Sequence, residues 1–238
     1  MKNRPDKPRF KDPSEFTSAA EVTAETARAL DLAAAHYAHG MYWHKDFQRL
    51  ARLDGLGQGE QDRIFNELVL GCIVLIMLAL EAPDLRTRRE MKGQFQGIRD
   101  ALPKAHVRYL RELGVESEYL KDWEKLIGMR FDEYGRDRHG VRAAAMQLES
   151  REKDLDLDGL SRIQLMVPLQ AVAIGTHDHI CRGKTGGRDD LFRYILDRLG
   201  GFYVEFRVIL EGGRITRLQR LRIAVRRAVR RAFRRQRT

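Results

Sequence analysis

The sequence predicts an all-α fold, a bundle of about six to eight helices. Helical periodicity runs through most of the 238 residues, and hydrophobic residues make up 43% of them, as in ordinary globular domains. Only the segment 201–210 has a strand-like composition, and a single strand without a partner cannot form a sheet. We therefore expect helix there too, within one helical-bundle domain over residues 14–211.

The predicted elements begin with an arm and an alanine-rich helix. Three prolines predict an extended, mobile arm over residues 1–13. Ser14 is a suitable N-cap for a helix over about 15–39, which we expect Gly40 to interrupt. A second helix is predicted over 42–53, before a glycine-rich loop.

The centre of the bundle is predicted at residues 60–82. The thirteen residues 68–80 are all apolar or small, lie between Glu67 and Glu81, and are followed by Pro83. A helix that spans a bilayer needs roughly 20 apolar residues, so this run is too short. We therefore expect a core helix that is buried on most sides.

Glycine and proline divide the second half of the chain. We expect Gly93, Gly97 and Pro103 to perturb the helix after the central one, and Gly200 and Gly201 to interrupt the last helix of the bundle. The other predicted helices cover residues 104–113, 117–134, 141–152, 160–181 and 189–199.

Two loops contain parts of ligand-binding motifs. The acidic segment 154–159 matches the first half of an EF-hand calcium loop, but the twelfth position is Leu165 rather than glutamate. The segment 182–188 contains the Gly-Lys-Thr of a phosphate-binding loop, but Asp178 stands where that loop needs its first glycine. We interpret the first segment as a helix-capping turn and the second as a basic turn.

The best candidates for metal ligands are His177 and Cys181, which share a helix face at a spacing of four residues. No glutamate lies three residues before any histidine, as the di-iron helical bundles require, so we predict neither a metal nor another cofactor. The chain has only two cysteines, and Cys72 lies in the apolar run. This usage indicates reduced thiols in a cytoplasmic protein.

A short motif is the basis of one enzymatic alternative. The segment from Arg99 to His106, Arg-Asp-Ala-Leu-Pro-Lys-Ala-His, resembles the Arg–polar–His motif of the HEPN family of helical-bundle ribonucleases. The resemblance implies that Arg99 contacts phosphate and that His106 acts in acid–base chemistry on the ribose 2′-hydroxyl. It covers eight residues, and Pro103 within it departs from a regular helix.

The tail, residues 214–238, holds the net charge of the chain. It contains eleven arginines and neither a lysine nor an acidic residue. The remaining residues, 1–213, hold 33 Lys and Arg against 34 Asp and Glu, although the whole chain has a formal charge of +10. An acidic partner for the tail is therefore expected.

The tail also has the pattern of an amphipathic helix. Its apolar face consists of Leu218, Leu221, Val225, Ala228, Val229, Ala232 and Phe233. Its basic face consists of Arg217, Arg220, Arg226, Arg227, Arg230, Arg231, Arg234 and Arg235. Arginines four residues apart repel one another, so this helix needs a surface on which to fold.

These features predict a non-enzymatic cytoplasmic protein that binds nucleic-acid phosphates through the basic face of the tail. Guanidinium groups bind phosphate oxygens in pairs. Phe233 is the only aromatic residue of the tail, so stacking on bases contributes little there. The alternatives are the HEPN-like ribonuclease, attachment to an anionic membrane surface, and an adaptor role with an acidic protein as partner.

Overall fold

The computed structural model describes residues 16–81, 91–152 and 156–210, and these form eight α-helices without a strand. The all-α prediction is confirmed. The predicted arm 1–13 and the arginine-rich tail 214–238 lie outside the described residues. The helices are α1 (Ala19–Tyr42), α2 (Lys45–Ala51), α3 (Gln58–Glu81), α4 (Met91–Glu112), α5 (Ser117–Leu120), α6 (Trp123–Glu152), α7 (Leu157–Cys181) and α8 (Asp189–Leu210).

Helix α3 is the centre of the bundle, as the sequence predicts. Every residue from Glu67 to Leu80 is buried, because α1, α4, α6, α7 and α8 all pack against this helix. By length and composition α3 could also cross a membrane, but most of its apolar window is buried inside the bundle. This burial is what the core helix of a soluble bundle shows.

The first helix starts later than predicted. Ser18, rather than Ser14, caps α1, and its hydroxyl accepts a hydrogen bond from the backbone N–H of Glu21 at 3.2 Å. The Glu21 carboxylate in turn accepts from the backbone N–H of Thr17, the residue before the cap. The predicted interruption at Gly40 is wrong, because α1 continues to Tyr42.

Other predicted breaks are absent for a physical reason. Helix α4 runs through Gly93, Gly97 and Pro103, and α8 runs through Gly200 and Gly201. A Cβ atom at Gly97 would contact Thr23 of α1, and one at Gly200 would contact Leu169 of α7, each at 3.4 Å. Packing at these contacts offsets the low helix propensity of glycine.

The helices approach most closely at two glycines. A Cβ atom at Gly71 of α3 would lie 2.5 Å from the Thr176 hydroxyl oxygen, and one at Gly175 of α7 would lie 2.1 Å from Cε1 of Tyr134. Only glycine allows the helices this separation. Helices α3, α6 and α7 therefore meet in one tight seam.

The described residues of the two motif-bearing segments agree with the predicted turns. The Asp156 carboxylate caps α7 by accepting the Gly159 N–H at 2.6 Å. Helix α7 ends in a turn, where Arg182 and Gly183 have φ values of 52° and 72°. These loops begin and end helices.

Candidate functional site

The described residues include two of the candidate site groups, Arg99 with His106 and His177 with Cys181. The phosphate-binding arginines of the tail lie outside the described residues, so their role stays a prediction. The geometry below concerns the bundle.

His106 lies in a buried pair with Asp31 of α1. Its Nδ1 atom is 2.9 Å from Asp31 Oδ1, and the two side chains are 2% and 0% exposed. Nδ1 therefore donates its proton to the carboxylate. The pair joins α1 to α4 inside the bundle.

Aromatic rings surround this pair. The Trp123 ring lies edge-on to His106 at 4.9 Å between centroids, and the Tyr109 ring lies at 6.3 Å. Burial, with a contribution from the charge of Asp31, raises the pKa of the Tyr109 hydroxyl. His106 Nε2 and Asp31 Oδ2 are buried and have no hydrogen-bond partner in the described structure. A buried, half-satisfied polar pair of this kind contributes specificity to helix packing at a cost in stability.

Arg99 contacts α3 and α6. It pairs with Glu81 of α3 at 3.2 Å and with Asp100 at 2.8 Å, and its guanidinium lies over the Phe131 ring of α6. It is two helical turns, about 10 Å, from His106 along α4. Since residues seven apart share nearly one face of a helix, both side chains also contact α6, Arg99 at Phe131 and His106 at Trp123.

His177 and Cys181 lie on one face of α7, as their spacing predicts. Burial lowers the pKa of His177, whose ring packs against Phe192. Burial also raises the pKa of Cys181, although Arg188 lies 3.7 Å from its sulfur. Among the described residues, no group of three or more His, Cys, Asp or Glu side chains is placed to hold a metal ion.

An ion-pair chain crosses the tight seam. Arg130 of α6 donates two hydrogen bonds to the Glu67 carboxylate of α3, at 2.9 and 3.3 Å. It donates a third, at 3.2 Å, to the carboxylate of Glu133. Glu133 in turn contacts His179 Nε2 of α7 at 2.9 Å. Four charged or polar side chains therefore connect three helices.

Tyr134 adds a hydroxyl to the interior of this seam. Its side chain is completely buried against Gly175. Burial is the main cause that raises its pKa, and the negative charge of Glu67 adds to the effect. The phenol therefore stays protonated at physiological pH.

Arg63 ties α3 to the end of α7. Its Nη1 and Nη2 atoms donate to the carbonyls of His179 and Ile180 at 2.7 and 2.9 Å, and the same guanidinium binds Glu60. The hydrogen bond from Arg63 is the main cause that lowers the pKa of Glu60 to about 2, and Arg182 adds to it against the effect of burial. A cation at the C-terminal end of a helix is favoured by the helix dipole.

Sequence reasoning missed Asp31 and Glu133. A signal for Asp31 was present, because it lies on the stripe of buried alanines at positions 27, 34, 35 and 38 of α1. An acidic residue on the apolar face of a helix predicts a buried partner. The identity of that partner, 75 residues away, follows only from the fold.

Comparison with known proteins gives no match to this chain, whether with protein families, curated proteins or solved structures. Function is therefore argued from the residues themselves.

Proposed function

We propose that this protein is a non-enzymatic, cytoplasmic binding protein whose tail arginines bind nucleic-acid phosphates. The observation that carries the proposal is the unequal distribution of charge between the tail and the rest of the chain. Eleven arginines without an acidic residue lie in residues 214–238, and the rest of the chain is close to neutral. Phosphate is a strong ligand for guanidinium, and each phosphate that is neutralised releases counterions.

The bundle supports this division because many of its own arginines are already paired. Arg63, Arg99, Arg130, Arg138 and Arg182 each bind a carboxylate of α3 at 3.2 Å or less. These guanidinium groups stabilise helix packing. The unbalanced arginines of the chain are those of the tail.

A charge-matched pair of variants tests the proposal in the full chain. Each variant replaces four arginines by glutamine, so each lowers the net charge by the same amount. The tail variant changes Arg226, Arg227, Arg230 and Arg231. The bundle variant changes four exposed arginines, Arg49, Arg111, Arg162 and Arg193.

Binding to a labelled DNA duplex and to a labelled RNA is measured by fluorescence anisotropy. We expect the tail variant to lose most of its affinity and the bundle variant to stay within about threefold of wild type. Equal losses in both variants would show that only the net charge matters. Unchanged binding in the tail variant would refute the proposed role of the tail.

The ribonuclease alternative ranks second because of the position of His106. Its ring lies buried between Asp31 and Trp123, so RNA would reach it only after α4 separates from α1. Cleavage of RNA by the wild type and its loss in His106→Ala, with the fold retained, would favour this alternative. Binding to anionic vesicles that Phe233→Asp abolishes would favour the membrane alternative.

A further inference from the structure

Helix α3 covers one face of α7 over only part of the length of α7. Thr176 faces Gly71 of α3, and Val172 and Leu169, four and seven residues earlier on the same face, are buried. Leu165 is the next residue on this face, and it is 37% exposed. The reason is that α3 ends at Glu81, near the level of Leu165.

Helix α6 also extends beyond the last residue of α3. Arg138 reaches Glu81, the last residue of α3, at 2.9 Å. Helix α6 then continues to Glu152, about 21 Å farther. Leu148 on this extension is 63% exposed. We call the part of α6 and α7 beyond Glu81, residues 141–152 and 157–166, the hairpin tip.

The hairpin tip concentrates exposed apolar side chains. It holds five of the thirteen large hydrophobic residues that are exposed in the described structure, namely Met146, Leu148, Leu160, Leu165 and Met166. Exposed apolar side chains gathered at one end of the bundle indicate a candidate docking site.

The position of α8 indicates the occupant. A Cβ atom at Gly200 would contact Leu169, and α8 runs antiparallel to α7, so its last residues lie beside the start of α7. The chain therefore leaves the described bundle at Leu210, next to the hairpin tip. The next residues include Gly212 and Gly213, which permit a sharp reversal.

We propose that the tail docks on the hairpin tip of its own bundle, with the apolar side chains of Leu218, Leu221, Val225 and Val229 against Leu148 and Leu165. As a helix, residues 218–229 would be about 18 Å long and would fit along residues 141–152 of α6. Such docking supplies the surface that a tail of mutually repelling arginines needs in order to fold. It also turns the basic face outward, so the inference rests on the proposed function and specifies how the arginines are presented.

Hydrogen exchange of the full chain, without nucleic acid, tests the docking. We expect the amides of residues 218–229 to exchange at least roughly tenfold more slowly than in an unstructured peptide. Leu148→Asp removes this protection, because it places a charge on the hairpin tip. Leu113→Asp is the matched control, since Leu113 is 58% exposed at the end of α4 and does not belong to the hairpin tip.

Two results would overturn the inference. The first is a failure of the exchange experiment: residues 218–229 exchange at the unstructured rate in the wild type, or they exchange equally fast in Leu148→Asp and Leu113→Asp. The second is a dimer in light scattering that Leu148→Asp converts to a monomer while the tail stays protected, because a second copy then covers the hairpin tip. Nucleic-acid binding by an unprotected tail would refute the docking alone, and a protected tail that binds no nucleic acid would refute the proposed function alone.

Discussion

Replacement of Gly175 by alanine tests the seam between α6 and α7. The new Cβ atom would lie 2.1, 2.6 and 2.8 Å from three ring atoms of Tyr134, whereas carbon atoms in contact lie about 3.5–4.0 Å apart. The Tyr134 ring is completely buried and cannot move into solvent. Helix α7 must therefore shift outward by about 1 Å or more, and overpacking of this kind costs about 1–3 kcal/mol.

The helix propensity of alanine opposes this cost. Alanine in place of glycine inside a helix gains about 0.5–1 kcal/mol. We therefore expect Gly175→Ala to destabilise the protein by about 1–2 kcal/mol. Gly140→Ala in α6 is the matched control, because no side chain or neighbouring backbone lies within 4 Å of its new Cβ atom. That variant should be more stable than wild type by about 0.5–1 kcal/mol.

Thermal and urea unfolding, followed by circular dichroism, measure both variants. The expected difference between them is about 1.5–3 kcal/mol, which corresponds to roughly 3–12 °C in Tm for a domain of this size. Equal stability of the two variants, or a more stable Gly175→Ala variant, would refute the close approach of Gly175 and Tyr134.

Three further predictions concern ionisable groups. Asp31→Ala leaves the Nδ1–H group of His106 buried without its acceptor, so urea unfolding should show a loss of about 1–3 kcal/mol, and Asp31→Asn, which keeps an acceptor, a smaller one; equal losses would argue against the pair. Burial lowers the pKa of His177 in the folded state, so the unfolded chain takes up the proton first and the free energy of unfolding falls as the pH drops below about 6.5. His177→Phe should fall less between pH 7.5 and 5.5, and parallel curves would contradict this. The Glu60 carboxylate has its pKa lowered from 4.5 to about 2 by Arg63, so its contribution is complete above pH 4.5 and is lost as the pH falls toward 2. Glu60→Gln should remove that part of the acid transition, about 1 kcal/mol after solvent screening, and an unchanged acid transition would contradict the ion pair.

The sequence predicts the core of this bundle because one signal dominates there. The run 68–80 is apolar on every side of the helix, whereas a partly exposed helix needs only one apolar face. Helix α3 is buried along all of this run. Asp156 likewise caps α7 because an N-cap is a local interaction that an acidic turn indicates.

Helix boundaries at glycine and proline could not be predicted in the same way. Gly40, Pro103 and Gly200 all lie inside helices, because the buried faces of those helices outweigh a local cost of about 1 kcal/mol for glycine and about 3 kcal/mol for proline. Those contacts join residues far apart in sequence. Gly200 meets Leu169, and the ion pair of Glu67 and Arg130 spans 63 positions.

In the candidate site groups, too, local features could be predicted and contacts between helices could not. The helical spacing of His177 and Cys181 correctly predicts a shared face of α7. The burial of His106 against Asp31 depends on how α1 and α4 pack, which the spacing within α4 does not contain. The charge of the tail is a property of composition alone, so it is known from the sequence while its contacts are not.

The salt dependence of nucleic-acid binding by the full chain tests the central claim most directly. Anisotropy with a labelled duplex between about 50 and 200 mM salt gives the slope of log affinity against log salt concentration, which is about −0.9 for each phosphate neutralised. We expect a slope of about −4 or steeper for the wild type, reduced in magnitude by about 3 to 4 when Arg226, Arg227, Arg230 and Arg231 are glutamine. A shallow wild-type slope, or the same slope in that variant, would contradict the claim that the tail binds phosphate.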